Sequence, residues 1–283
     1  MIISIRHTTR YSFSSEVFLE PHTVRLRPRS DCTQKLIDFD LAVDPEPSGK
    51  ADIIDISGND CVSLWFSGTL TSLTLKTEAM VETLRTNPFD FIITDNSVAR
   101  LPADYSSDFQ FSIKPYLIRS SEPGGKLEDF ASSILEETNG DTIKFLSTLN
   151  SRIYSDFEQT VRQEGPPFPP EVTLLSGMGT CRDLTLLFME SCRAAGLAAR
   201  FVSGYREAEM HSTERQLHAW AEIYLPGGGW RGYDPSEGLS VTDSHVALAS
   251  GVMPEDAAPV TGTFRGDGAS AKIEFEIDVT TEK

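Results

Sequence analysis

A short segment near the middle of the chain contains the residue types expected around a reactive thiol. Gly177 and Gly179 permit a tight loop, and Thr180 followed three residues later by Asp183 is the pattern of a capping box. Because an apolar run follows, the pattern predicts a helix whose first residue is Cys181. Unpaired N–H groups and the positive end of the helix dipole meet at that position, and both stabilise a thiolate, the nucleophilic form of cysteine.

A packed core cysteine is the alternative interpretation of Cys181, and it is the interpretation that suits Cys192. The helix is predicted to run to about Ala195 and to stop at Gly196. Cys192 lies within its apolar stripe, about 16.5 Å along the helix from Cys181, so a disulfide between the two is excluded. Core cysteines rarely open a helix, which favours a reactive thiol at Cys181.

A nucleophilic thiol needs a general base, and His218 is the best placed of the five histidines. It begins an alternating strand that ends at Leu225, directly after a polar loop. His211 is expected to be a solvated residue of that loop, and His245 is a weaker alternative base. The simpler interpretation of His218 is a strand histidine satisfied by Glu222 on the same face.

Asp234, which follows the next predicted strand, is the candidate that would orient the imidazole. Asp-Pro-Ser is also a common turn opener, which is the alternative interpretation of this residue. If Leu225 paired with Trp230, Asp234 would lie opposite Ala221 and face away from His218. A Cys-His-Asp triad therefore requires an odd shift of register, from a bulge in the intervening glycine-rich stretch or a bend near Asp234.

Three regions of different composition are expected to position these residues. Residues 1–85 contain short alternating strands with a hairpin signal at Gly58-Asn59, which predicts an antiparallel all-β sandwich or partly open barrel. Residues 86–125 are punctuated by proline and are predicted to be a linker that wraps the second domain. Residues 126–283 begin with two helices and continue with strands, which predicts an α+β catalytic domain. Its predicted strands are 198–205, 218–225, 230–234 and a final strand at 273–279.

Composition and charge restrict the classes of function. Among 283 residues there are 42 acidic and 25 basic residues, which gives a formal net charge of −17. Such a surface repels phosphate backbones and anionic lipid, so we expect neither a nucleic-acid partner nor a membrane partner. The sparse cysteines and the charged N-terminus favour a cytoplasmic protein with reduced thiols. Because the cysteines and histidines lack metal-binding spacing, we expect no metal and no other cofactor.

Several blocks of the sequence together resemble the bacterial transglutaminase-like superfamily. The blocks are Gly179-x-Cys181-x-Asp183, Arg200-Phe201-Val202-Ser203-Gly204-Tyr205, His218-Ala219-Trp220-x-Glu222-x-Tyr224, Gly229-Trp230-x-x-Tyr233-Asp234-Pro235 and Ala258-Pro259-Val260-x-Gly262-Thr263-Phe264. The resemblance runs from about 172 to 264, and Arg25-Leu26-Arg27-Pro28 with Gly58-Asn59 is similar to the N-terminal region that often accompanies this core. The resemblance implies a papain-like α+β core and a triad of Cys181 as nucleophile, His218 as base and Asp234 as orienting residue.

One departure from that family concerns the residues next to the thiol. The family usually has Gln, Asp and an aromatic residue after the cysteine, whereas this chain has Arg182-Asp183-Leu184. The triad is unaffected, but the substrate preference near the thiol is expected to differ.

The sequence therefore predicts a thiol enzyme that transfers acyl groups from amide or peptide bonds of a peptide or protein substrate. Hydrolysis is favoured, because the sequence shows no sign of a channel that would exclude water in favour of an amine. The alternatives are a protein-glutamine transglutaminase and a noncatalytic protein-binding module on the same fold. The backbone N–H of Cys181 is expected to be one oxyanion donor, while the second donor and the oligomeric state are not specified by the sequence.

Overall fold

The structure is a computed structural model that describes residues 1–120, 124–162, 165–207 and 217–282. Two β sheets pack around one core, and a second part combines helices with a five-stranded sheet, which confirms the predicted α+β fold class. Within these ranges no helix has the length and apolar character needed to cross a membrane.

The first 85 residues form six antiparallel strands, as their alternating apolar residues predict. The strands are β1 (Ile2–Leu19), β2 (His22–Val24), β3 (Gln34–Asp44), β4 (Gly49–Ile54), β5 (Asp60–Trp65) and β6 (Leu70–Thr83). β1, β6 and β3 lie in one sheet, and β2, β5 and β4 lie in the other. The predicted hairpin joins β4 to β5, where Ile54 pairs with Asp60. The inward faces of both sheets form the sandwich core.

The stretch 86–125, predicted to be a linker, contributes both helices and core residues. It contains α1 (Asn96–Ala99) and α2 (Gln110–Leu117). Val98, Leu101, Tyr105 and Ile113 from this stretch are buried in the core of the second part. Burial of these apolar side chains fixes the chain there in spite of its prolines.

The second part is built on an antiparallel sheet covered by helices. Its helices are α3 (Lys126–Glu137), α4 (Thr142–Asp156), α5 (Pro170–Ser176) and α6 (Cys181–Ala194). Its strands are β7 (Glu158–Gln159), β8 (Met178–Gly179), β9 (Ala199–Arg206), β10 (His218–Leu225), β11 (Gly229–Asp234), β12 (Leu239–Ser240) and β13 (His245–Gly251). The sheet order is β12-β11-β10-β9-β13, so β10 and β11 are central neighbours. Leu184, Leu187 and Phe188 of α6 pack in one core with Ile223 of β10, and this packing fixes the helix over the sheet.

The C-terminal residues return to the first part, which differs from the predicted division at residue 126. After a short 3₁₀ helix, Pro254–Ala257, the chain forms β14 (Val260–Thr261), β15 (Phe264–Arg265) and β16 (Ala271–Glu282). β14 pairs with β2, and both β15 and β16 pair with β1. The alternating pattern identified the final strand but could not identify its partner, because Ile277 and Val279 bury one face in the sandwich core rather than in the helical part.

A buried ionic network also joins the two parts. Glu222 of β10 accepts hydrogen bonds from Arg29 at 2.8 Å and from Arg200 at 2.7 Å. Burial opposes ionisation of this carboxyl, but the two guanidinium groups outweigh it and lower the pKa of Glu222 to about 2. Glu222 is therefore held by arginines and not by His218, the partner considered from the sequence.

A buried histidine at the junction predicts a specific pH dependence of stability. The ring of His7 is 1% exposed and lies 2.7 Å from the Tyr205 hydroxyl and 2.9 Å from that of Thr9. Burial lowers the pKa of His7 to about 4, whereas an unfolded histidine has a pKa near 6.5. The unfolded chain thus binds more protons between these values, so stability is full above pH 6.5 and falls as the pH drops toward 4. We expect His7 to contribute about 3 kcal/mol to this loss.

Urea unfolding at several pH values between 7.5 and 4 checks this prediction, with His7→Gln as the reference because its amide does not titrate. The wild type is expected to lose more free energy of unfolding across this window than the variant. Parallel curves for the two proteins would show that His7 is not the group responsible.

Candidate active site

Cys181 is the first residue of α6, as the capping pattern predicts. Asp183 accepts hydrogen bonds from both the N–H and the hydroxyl of Thr180, each at 2.8 Å. The carboxylate is fully buried and also pairs with Arg162 at 2.9 Å. This fixes the loop and places the partly exposed Cys181 where the first N–H groups of the helix converge. Cys192, by contrast, is buried in the core, where loss of solvation raises its pKa well above the ordinary value.

The pairing of β10 with β11 decides which way Asp234 faces. Leu225 pairs with Gly229 rather than with Trp230, so the connecting loop contains three residues. This difference of one residue brings Asp234 to the face of the sheet that carries His218. The change of strand register by one residue, which the sequence predicted to be necessary for the triad, therefore comes from the length of the glycine-rich loop.

Glycine is required at two positions of this loop. Gly227 and Gly229 have φ angles of +85° and +68°, a backbone conformation that is strained for other residues. A Cβ atom at Gly227 would also lie 2.4 Å from the carbonyl oxygen of Ile92. The glycine run thus makes possible the turn that sets the register.

The structure brings together the three residues predicted from the sequence. His218 Nε2 lies 2.6 Å from Asp234 Oδ2, and the thiol of Cys181 is close enough to the same imidazole to raise its pKa. The ring nitrogen that remains for the thiol is Nδ1. Asp234 is fully buried, and its Oδ1 accepts the N–H of Ser236 at 3.1 Å and the Ser236 hydroxyl at 2.8 Å. Hydrogen bonds to both of its oxygens therefore fix the carboxylate.

Electrostatics in this cluster favour a charged imidazole. Burial alone lowers the pKa of His218, but the negative charge of Asp234 and hydrogen bonds to Asp234 and Cys181 outweigh it and raise the pKa to about 10. Burial raises the pKa of Asp234, because it disfavours the charged carboxylate. The positive charge and hydrogen bonds of the neighbouring imidazoles outweigh burial, so the pKa of Asp234 lies well below its usual range. The carboxylate is therefore ionised at neutral pH, and the His218 ring holds its proton.

His245 is part of the same cluster, which sequence reasoning did not find. Its Nε2 lies 3.1 Å from Asp234 Oδ2, the oxygen that also binds His218. The sequence signal was an apolar run after His245, which resembles the start of β10 and indicates a strand that begins with a histidine. His211, predicted to be a solvated loop residue, lies outside the described residues.

Within the described ranges, His218, Asp234 and His245 form a group whose ligand atoms lie within 4.8 Å of one another. The two nitrogen–oxygen distances in this group are 2.6 and 3.1 Å. These are hydrogen-bond distances, each bridged by a proton.

A cavity of about 790 Å³ opens beside Cys181 and His218. Its walls carry the charges of Arg162, Arg182 and Arg206, together with those of two glutamates. An apolar part of the lining comes from Leu217, Pro259, Phe275 and Val279, of which the last two belong to β16. A cavity of this size accepts part of a peptide, and both parts of the chain contribute to its walls.

Two family models match the chain in regions that correspond to its two parts. Residues 3–82 match the bacterial transglutaminase-like N-terminal region, and residues 128–235 match the transglutaminase-like superfamily. The chain belongs to the transglutaminase-like superfamily. The second match includes all three residues predicted to form the triad.

Comparisons with individual proteins match the chain over different lengths. Rv2569c of Mycobacterium tuberculosis is 26% identical over 298 residues, covering 97% of this chain and 91% of that protein. ML0607 of Mycobacterium leprae is 33% identical over 109 residues, or 37% of each chain. The crystal structure of a protein from Cytophaga hutchinsonii, described as a "putative cysteine protease", superimposes with a TM-score of 0.73 at 21% identity. That alignment covers 100% of this transglutaminase-like chain and 92% of the other, so the whole fold is shared.

Proposed function

We propose that this protein is a thiol-dependent hydrolase of amide or peptide bonds. The observation that carries the proposal is the single imidazole of His218, which hydrogen-bonds to a buried carboxylate and lies beside a partly exposed thiol at the start of a helix. A thiol, a base and an orienting acid in this order are the parts of an activated cysteine nucleophile.

The reaction has two stages, and His218 carries the proton in both. In the first stage, His218 holds the proton of the Cys181 thiol, and the sulfur attacks the carbonyl carbon of the amide. The carbon–nitrogen bond then breaks, the amine leaves with the proton from His218, and a thioester to Cys181 is formed. In the second stage, His218 takes a proton from water, whose oxygen attacks the thioester. The carbon–sulfur bond breaks, the carboxylic acid leaves, and the thiol regains its proton.

The surrounding groups stabilise the charges that this sequence creates. Asp234 stays ionised and balances the imidazolium, while the backbone N–H of Cys181 is one donor for the oxyanion of the tetrahedral intermediate. The adjoining cavity, lined by Cys181 and His218, accommodates the peptide or protein chain on either side of the reacting bond.

Selective alkylation of Cys181 is the experiment that tests this proposal. The helix terminus and the charged imidazole of His218, whose pKa is raised to about 10, both favour the thiolate form at this position. Iodoacetamide should therefore label Cys181 at least about tenfold faster than Cys32 at pH 7. Cys32, which is exposed, is the reference for an accessible thiol outside the site. Peptide mass spectrometry measures all four cysteines in one sample.

The buried Cys61 and Cys192 are internal controls, because burial raises the pKa of both and both should label slowly. Similar slow rates at all four cysteines would contradict the proposal and favour a noncatalytic binding module. Incubation with a glutamine peptide and a primary amine addresses the acceptor, because net amine incorporation without hydrolysis would identify a transglutaminase instead.

A further inference from the structure

A second imidazole hydrogen-bonds to the carboxylate that orients the base. His245 begins β13 on the far side of β9, and its ring is 4% exposed. Its Nε2 lies 3.1 Å from Asp234 Oδ2, and its Nδ1 lies 3.1 Å from the hydroxyl oxygen of Ser244. Edge-to-face packing against Trp220, at 5.3 Å between ring centres, fixes the plane of the ring.

The position of the proton on His245 follows from its partners. Asp234 is ionised, so Oδ2 can only accept hydrogen bonds, and His245 Nε2 must carry the hydrogen that it donates. Nδ1 is then the acceptor for the hydroxyl of Ser244. One carboxylate oxygen thus receives N–H donors from His218 and from His245, which approach it from two different strands.

The charges around His245 keep its ring neutral. Burial and the positive charges of His218 and Arg206 lower the pKa of His245, and Asp234 raises it. The net effect is a pKa below the ordinary value. The charge of Arg206 is in turn balanced by Glu237 at 2.9 Å. His245 therefore donates a hydrogen bond to the cluster without adding a charge to it.

We propose that His245 is a positioning residue that holds the Asp234 carboxylate and limits how strongly it binds the proton of His218. The inference rests on the proposed function. A carboxylate oxygen whose charge is shared between two donors pulls less on each of them. This matters in the first stage, because the His218 imidazolium must release its proton to the leaving amine, and an unshared carboxylate would retain that proton.

Paired amide and ester substrates can separate this role from a structural one. A peptidyl aminomethylcoumarin library supplies amides, whose leaving amine must be protonated by His218. p-Nitrophenyl acetate acylates the same thiol, but its nitrophenolate leaves without needing that proton. The His245→Leu variant removes the N–H donor, while His245→Gln keeps a neutral N–H at nearly the same distance from the backbone.

We expect His245→Leu to lower kcat for the amides by about 10- to 100-fold with KM little changed, and to lower ester acylation by less than about threefold. The alkaline limb of its kcat/KM profile should move to higher pH by about half a unit, because Asp234 then pulls harder on the His218 proton. His245→Gln should recover most of the amide activity.

Three outcomes would overturn the inference. The first is an equal loss of amide and ester activity in His245→Leu. The second is an alkaline limb of the His245→Leu kcat/KM profile at the same pH as in the wild type. The third is a His245→Gln variant that melts at the wild-type temperature but does not recover amide activity. If His245→Leu fails to fold, His245→Asn replaces it, because the asparagine amide is too short to reach Asp234. The amide-to-ester activity ratio and the pH profile are then compared between His245→Gln and His245→Asn. A wild type that labels no faster at Cys181 than at Cys32 would instead overturn the proposed function.

Discussion

The Cys181→Ala variant is expected to lose amide hydrolysis down to the uncatalysed background, a fall of about a millionfold in kcat where the assay can measure it. No second nucleophile could replace the sulfur, because the covalent intermediate requires a thiolate next to the His218 imidazole. Alanine is a favourable residue within a helix, and Cys181 is partly exposed at the first position of α6. The melting temperature should therefore stay close to that of the wild type.

The matched control is Cys32→Ala, which removes an exposed thiol from the first part of the chain. It should keep full activity in the aminomethylcoumarin assay, and both variants are measured at the same protein concentration. Retention of more than about one percent of the wild-type activity by Cys181→Ala would show that the chemistry does not use this thiol.

The sequence was sufficient for the features that depend on neighbours along the chain. The start of α6 at Cys181 could be predicted because Thr180 and Asp183 satisfy each other locally, over a distance of three residues. The beginning of β10 at His218 follows in the same way from alternation within one segment. Two of the three predicted site residues were thus placed by local rules.

Features that depend on pairing between distant segments could not be predicted from local sequence patterns. The face on which Asp234 lies depends on whether the glycine-rich loop has three or four residues, and glycine permits both. The contact of His245 with Asp234 depends on β13 pairing with β9, and the return of β16 to β1 depends on which sheet buries Ile277. An alternating pattern shows that one face of a strand is buried, but it does not identify the neighbouring strand.

We expect Asp234→Asn to lower kcat/KM for amides by about 10³- to 10⁴-fold, although the substitution changes only one atom of the side chain. Every partner of this carboxylate donates a hydrogen bond, including His218, His245 and both the N–H and the hydroxyl of Ser236. An amide has one oxygen and one NH₂ group, so at least one of these donors must face another donor.

The most damaging consequence concerns the tautomer of His218. If the new NH₂ group points at Nε2, the ring must accept there and carry its hydrogen on Nδ1, the nitrogen that has to take the proton of Cys181. Without the negative charge, burial is the largest remaining influence and holds the pKa of His218 below its ordinary value. At pH 7 the imidazole is then neutral and no longer stabilises a thiolate beside it.

The iodoacetamide assay measures this effect directly, because it reports thiolate without requiring a substrate. In Asp234→Asn the labelling rate at Cys181 should fall to near that of Cys32 at pH 7. Asp243→Asn makes the same chemical change in the following loop and should leave both assays unchanged. Equally fast labelling of Cys181 in Asp234→Asn and in the wild type at pH 7 would show that the thiolate is stabilised by the helix terminus and not by the ion pair. In that case Asp234 would act only on the orientation of His218, and its effect would appear in amide turnover alone.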